Sequence, residues 1–219
     1  MLQPPTTAQE LMDRANKLSG ITLQQLANQL QIQVPDKMKY AKGWIGNLLE
    51  HALGTTAANS PEPDFVELGI ELKTIPIDMN GKPKESTYIC VVQLDPDALS
   101  SWESSLVKRK LSHVLWIPIE AKKELSVSLR RIGSPVLWKP DTKQEKQLRK
   151  DWQELSDMIA MGNIDKISST MGTYLQIRPK AANSKVLTID KNQTDVKQTT
   201  LPRGFYLRSS FTCQIITPK

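Results

Sequence analysis

The chain is short of the residues on which many enzymes depend. Only two histidines occur, His51 and His113, which leaves no multi-histidine metal site and no HNH-type nuclease chemistry. The two cysteines, Cys90 and Cys213, lie far apart and form neither a CxxC pair nor a disulfide framework, so they read as thiols in a reducing compartment. The ten glycines never fall into GxGxxG, GxxxxGK or GxSxG spacing, so the common nucleotide-binding loops and the serine-hydrolase elbow are missing. No apolar run approaches the roughly 20 residues of a membrane span. The opening MLQPPTTAQELMDRANKL has no basic stretch followed by an apolar one, so no secretory signal is expected. What is left for catalysis is carboxylate and lysine chemistry.

What is present is enough to bury a core: 219 residues, 39% of them hydrophobic and 24% charged, the size of one large domain. We read residues 1–219 as that domain, divided into an acidic lobe of about 1–100 and a basic lobe of about 101–219. Net charge is +6, unevenly placed: residues 1–99 carry 8 Lys and Arg against 12 Asp and Glu, residues 100–219 carry 21 against 11, and residues 166–219 carry 9 against 2. An anion-binding nuclease would need such a division, with carboxylates for metal and cations for phosphate. A solvated basic face without a partner would show the same counts.

Thr7-x-x-Glu10 and Thr22-x-x-Gln25 are capping patterns that open two helices, the first stopping at Gly20 and the second near Gln31, before a turn at Pro35 and Asp36. Trp44, Ile45, Leu48, Leu49 and Leu53 recur at helical spacing in a third helix closed by Gly54. After a loop over 54–64, FVELGIELKTIPID alternates as a strand broken by a turn or bulge at Gly69. TYICVVQLD reads as a strand buried on both faces, followed by a helix around 98–110 and the buried strand HVLWIPIEA. A short strand at PVLW precedes the longest helix, about 142–161, striped by Leu148, Trp152, Leu155 and Ile159. Strands are expected near YLQIR and FTCQII, separated by a polar loop. The fold class is mixed α/β, with helices packed on a central sheet.

The segment that carries chemistry is Asp64-Phe-Val-Glu-Leu-Gly-Ile-Glu71-Leu-Lys73. Residues two apart on a strand share a face, so Glu71 and Lys73 project together, and a turn at Gly69 can return Asp64 beside Glu71. Two carboxylates together make a hard-oxygen site suited to magnesium, and an adjacent lysine can orient water and stabilise developing phosphorane charge. The tripeptide is weak by itself, since Glu120-Ala-Lys122 fits it too, although the nearest upstream Asp97 is separated from that copy by a whole expected helix. A salt-bridge ladder on a strand face would also use Glu71 and Lys73. Glu50 stands on the amphipathic helix beside Leu49 and Leu53, where an acid is costly unless paired or metal-bound, or else marks the helix's solvent edge.

KGWIGNLLE (42–50), PDFVELGIELKTIPID (63–78), HVLWIPIE (113–120), GSPVLW (133–138), YLQIRPKAAN (174–183) and LPRGFYL (201–207) together, and in this order, resemble the MutH family of mismatch-repair endonucleases. The resemblance implies a restriction-endonuclease-like mixed sheet flanked by helices, in two lobes forming a DNA cleft. It implies a magnesium-dependent enzyme that nicks the unmethylated strand at hemimethylated GATC sites. Manganese would substitute, and calcium would bind without supporting cleavage. MutL would activate the enzyme, with MutS acting indirectly, and the chain would be a cytoplasmic, nucleoid-associated monomer. By position, Asp64, Glu71 and Lys73 match the family's catalytic residues, with the carbonyl of Leu72 as a further metal ligand. Glu50 matches another active-site acid, and Lys110 a second lysine reaching the cleft from the other lobe. Lys108 and Arg109 are its immediate neighbours, and Lys110 could instead be structural or hold phosphate. For DNA, Arg178 and Pro179 match the base-contacting loop and Lys180 a phosphate contact, while Tyr206 matches the sensor of adenine methylation or is a core tyrosine. Lys42 and Tyr88 are weaker DNA-contact candidates. His51 and His113 read as structural.

Two other functions fit part of this pattern. A restriction-type enzyme of the same superfamily would cut both strands, which usually needs two active sites. A GATC-binding module without cleavage would have no use for converging carboxylates beside DNA, where they repel phosphate.

Overall fold

Local signals build the first helices as the spacing predicts. Thr7 caps α1 (Ala8–Leu18) by accepting from the Glu10 amide, and Thr22 and Gln25 close a reciprocal capping box on α2 (Leu23–Leu30). In α3 (Ala41–Leu53), Ile45, Leu48, Leu49 and Leu53 are buried on one face. Gly54 follows with φ of +78°, and a Cβ there would stand 2.9 Å from the carbonyl oxygen of Gln3. Both its backbone and its surroundings therefore require glycine.

The structure is a computed structural model that describes residues 2–35, 41–55, 61–93, 101–122, 124–180, 188–190, 198–200 and 202–217, with no side-chain description at 41, 42, 188–190 and 198–200. Two compact units emerge. The first comprises residues up to 85, 112–139 and from 213 onward; the second comprises 86–111 and 140–212.

The first unit holds α1, α2 and α3 and a three-stranded sheet. Strand β1 (Glu71–Ile77) runs parallel to β3 (Val114–Glu120), and β4 (Val136–Trp138) pairs antiparallel with β3. Glu71 stands opposite Val114 and Lys73 opposite Trp116. As the middle strand, β3 is buried from Val114 through Ile119, as its unbroken apolar run predicts. Leu11, Leu23, Leu26, Leu49, Phe65, Leu72, Leu115 and Ile117 share one core, which ties the helices to the sheet.

The second unit has an antiparallel sheet in the order β2 (Thr87–Val91), β8 (Arg203–Leu207), β5 (Leu175–Pro179). With it come α4 (Leu106–Leu111), the 19-residue α5 (Thr142–Ala160) capped by Asp141, and the two-stranded ribbon of β6 (Thr188–Asp190) and β7 (Gln198–Thr200). Helix α6 (Ser209–Ile216) follows β8. Leu175, Ile177, Phe205 and Leu207 are buried, while Arg178 is exposed and Tyr88 and Tyr206 half-exposed, so this sheet has one apolar and one polar face.

Four element readings are corrected. FTCQII is helical, not extended: Phe211, Thr212 and Ile215 are buried at helical spacing while Gln214 is exposed. In so short an apolar run the period is ambiguous by eye. FVELG is a 3-10 turn over Val66–Leu68, and the strand begins only at Glu71. TYICVV is not covered on both faces, since Val91 is exposed and Tyr88 half-exposed. The helix expected around 98–110 is observed as Leu106–Leu111, and residues 94–100 lie outside the described residues.

Candidate active site and reading face

The acidic site forms at the turn before β1. Phe65 and Ile70 exchange backbone bonds (Phe65 N to Ile70 O 2.9 Å, Ile70 N to Phe65 O 3.2 Å) around the 3-10 turn, and Gly69 takes φ of +62°, which suits a residue without Cβ. This folds the chain back so that the Leu72 amide donates to Asp64 Oδ2 at 2.7 Å. Glu71 opens β1 with its amide donating to the His113 carbonyl at 2.9 Å. The residue is only 3% exposed, and its side chain accepts from the half-buried Lys73 ammonium on the same strand face. Leu72, on the opposite face, sits in the core.

Glu50 reaches this group from α3. Burial, the strongest influence, pushes its carboxyl above the usual glutamate range; Asp64 and then Glu71 push the same way, while His51 and Lys73 oppose. Asp64, Glu71, Lys73 and Glu50 are thus within electrostatic reach of one another in the first unit. His113 contributes its backbone carbonyl; its imidazole is held below the usual range by burial and then by Lys139.

The DNA-contact candidates gather on the polar face of the second sheet. Tyr88 and Tyr206 stand opposite each other and meet edge to face, ring centroids 5.4 Å apart. The Arg178 guanidinium lies 5.9 Å from the Tyr206 ring centre and the Lys180 ammonium 4.8 Å from that of Tyr88. Pro179 is exposed at the end of β5, opposite Arg203. Lys110 is half-buried in the last turn of α4. Its neighbour Lys108 is engaged by Glu103 and, at 3.5 Å, Glu145, and the bond to Glu103 chiefly raises its pKa. Lys42 falls in the first turn of α3, but its side chain lies outside the described residues.

Comparison with known proteins decides the family. The family model described as "DNA mismatch repair enzyme MutH" matches residues 53–151. The DNA mismatch repair protein MutH of Escherichia coli O6:K15:H31 (strain 536) is 48% identical over 216 residues, covering 99% of this chain and 94% of that protein. MutH of Shewanella sp. (strain W3-18-1) is 47% identical over 213 residues, covering 97% and 96%. The chain belongs to the MutH family. It is a DNA mismatch-repair endonuclease with a restriction-endonuclease-like mixed α/β fold, and the family's divalent-metal dependence and GATC specificity come with membership. Among the described residues, no helix is long and apolar enough to cross a membrane.

The donors at the MutH-type acidic site suit a divalent ion of the magnesium class. Asp64 and Glu71 offer carboxylate oxygens and Leu72 a backbone carbonyl, hard oxygen ligands that magnesium supplements with its own waters. Among the described residues no three His, Cys, Asp or Glu side chains converge as a metal cage, so an ion here would rest on this smaller set.

Three residues of the second unit escaped the sequence reading. Asp151, on α5 and 1% exposed, accepts from the amides of Thr173, Tyr174 and Leu175 at 3.0, 2.6 and 2.9 Å and from Gln147 Nε2 at 2.7 Å. Arg208 donates to the carbonyls of Gly172, Ser169 and Met171 at 2.8–2.9 Å. Gly204 lies beneath the tyrosine pair. A signal for Asp151 was available: it stands three residues after Leu148, on the buried stripe, where a lone carboxylate needs donors.

Proposed function

We propose that this chain nicks the unmethylated strand of hemimethylated GATC sites, using Asp64, Glu71 and the Leu72 carbonyl to hold magnesium and Lys73 and Glu50 to serve the reacting water. The observation that supports it is the turn at Gly69, which brings the Asp64 carboxylate onto the Leu72 amide beside the Glu71–Lys73 pair. Bound there, magnesium supplies a Lewis acid that polarises the phosphodiester and lowers the pKa of water. Lys73, positioned by Glu71, orients the water for in-line attack on phosphorus and stabilises charge on the phosphoryl oxygens. Glu50, whose carboxyl is raised toward protonation, is suited to exchange a proton with solvent near that water. The P–O3′ bond breaks, leaving a 5′-phosphate and a 3′-hydroxyl. Manganese substitutes for magnesium in this reading, and calcium binds without supporting cleavage.

Arg178 and Pro179 read base edges, since an arginine fork on guanine O6 and N7 is a common specific contact, and Lys180 holds phosphate. Tyr206 senses the adenine N6 methyl by steric contact. Lys110 contacts the scissile region, and Lys42 and Tyr88 add DNA contacts. The enzyme acts as a monomer in the bacterial cytoplasm at the nucleoid, is activated by MutL and depends indirectly on MutS. Strand-resolved cleavage of a hemimethylated GATC duplex with magnesium, with and without MutL and beside a fully methylated control, tests the whole reading. Nicking confined to the unmethylated strand and boosted by MutL is expected. Cleavage of both strands regardless of methylation would point to a restriction enzyme, and binding without cutting to a reader module.

A further inference from the structure

The polar face of the second sheet closes over a residue with no side chain. Gly204 stands opposite Arg178 on β5 and, two residues along β8, shares a face with Tyr206. A Cβ placed on Gly204 would lie 2.8 Å from Tyr88 Cε2, 3.1 Å from Tyr206 Cε2 and 3.2 Å from the Cys90 carbonyl oxygen. Carbon atoms rest at about 3.5–4.0 Å, so the first distance is a clash and the second a squeeze. The backbone of Gly204 is not left-handed, so its conformation suits any residue; what calls for glycine here is the space the rings occupy. Glycine ordinarily weakens a strand interior, and where it is tolerated it often marks close approach by another group.

The rings above it hold the reading cations. Tyr88 and Tyr206 are in edge-on contact, Arg178 lies by the face of one and Lys180 by the face of the other. Backbone pairing sets Tyr88 opposite Tyr206, and the β2–β8 ladder shifts register just past Tyr88, before Cys90, on the side of Gly204. The ring's seat is the bare surface of Gly204.

We propose that Gly204 is a positioning residue for strand choice: its missing side chain fixes the Tyr88–Tyr206 pair, and with it the place where the Tyr206 ring meets the adenine edge. The inference rests on the reading of Tyr206 as the methyl sensor and adds what sets that ring. Steric sensing of one methyl group depends on ring position to within tenths of an ångström. An alanine methyl at 204 strikes the far end of Tyr88 first, so it displaces rings more readily than backbone.

The test is the ratio of cleavage rates for the unmethylated and methylated strands in hemimethylated GATC duplexes, measured for wild type, Gly204→Ala, Tyr88→Ala, Tyr206→Ser and the double variant Gly204→Ala/Tyr88→Ala. Gly204→Ala is expected to lower the ratio on the order of tenfold, within the range one base-edge contact supplies. Removing the struck ring should make the alanine harmless, so the double variant should match Tyr88→Ala in both ratio and melting temperature. A wild-type ratio in Gly204→Ala overturns the inference. So does a double variant whose ratio or melting temperature falls below that of Tyr88→Ala, which also covers the case in which Gly204→Ala does not fold. Tyr206→Ser tests the underlying reading separately: an unchanged ratio there removes the sensor role whatever Gly204→Ala does.

Discussion

Glu71 is a nearly buried carboxylate whose company is mixed: Lys73 neutralises it from the same strand face, while Asp64 and Glu50 add negative charge nearby. Such a cluster is costly without a cation. Glu71→Ala should therefore abolish magnesium-dependent nicking while leaving DNA binding near normal or tighter, because one charge that repels phosphate is gone. Nicking assays run beside fluorescence anisotropy check this, and surviving cleavage would remove Glu71 from the metal site. Glu50 gives a pH prediction. Its carboxyl is raised in the folded state, so between the ordinary glutamate value and the raised one the folded protein keeps a proton that the unfolded chain has released. The stability linked to that proton is complete below the ordinary value and is lost as pH rises through the raised one. In chelator, Glu50→Gln should match the wild type near pH 4 and melt higher at pH 7 to 8. Melting curves that stay parallel across that range would show that Glu50 carries no such burden.

At the scale of elements, β5, the strand proposed to read bases, is held from one end. Asp151 gathers three amides at the start of β5 and Arg208 gathers three carbonyls of the preceding loop, so both strands that bear Arg178 and Tyr206 are anchored next to one turn. Gly172 fits the same turn with φ of +79° and no room for a Cβ beside the Leu175 carbonyl. Asp151→Ala strands buried donors and should cost about 3 kcal/mol, several times the loss of an exposed helix cap. Chemical denaturation measures it; a loss of only a few tenths would mean that water replaces the carboxylate. This anchor shows where sequence reading stops. Capping boxes at Thr22 and the apolar stripe of α5 act within one turn of helix, so they are visible as spacing. The return of Asp64 toward the start of β1 was visible too, because it takes place within eight residues around a glycine turn, although its bond to the Leu72 amide was not. Asp151 is bonded to residues 22–24 positions away, and the space over Gly204 is defined by Tyr88, more than a hundred residues upstream. Contacts of that range leave no local pattern. The helix at FTCQII failed for a different reason, since Phe, Ile and Ile in six residues satisfy either period until the packing partners are known.

Across the whole molecule, charge divides the work between phosphate and base. Residues 100–219 carry a net +10 and residues 1–99 a net −4, so in the proposed function attraction for DNA would arise in the later part of the chain, while the carboxylates proposed to hold metal lie in the earlier part. Bound counterions released from DNA make such attraction fall steeply with salt. Two cations only two residues apart on and just after β5 should then behave differently, although both lie near tyrosine rings. Lys180→Ala should weaken binding to GATC and random duplexes alike and make the log–log salt slope shallower by about one. Arg178→Ala should cost about 1–3 kcal/mol on GATC alone, with random DNA little affected. Affinities for both duplexes over 50 to 200 mM salt, roughly the range in which counterion release is well resolved, separate the two roles. If both substitutions lowered both affinities equally, this face would be a phosphate-binding surface, and the reading of the GATC sequence would have to come from elsewhere in the chain.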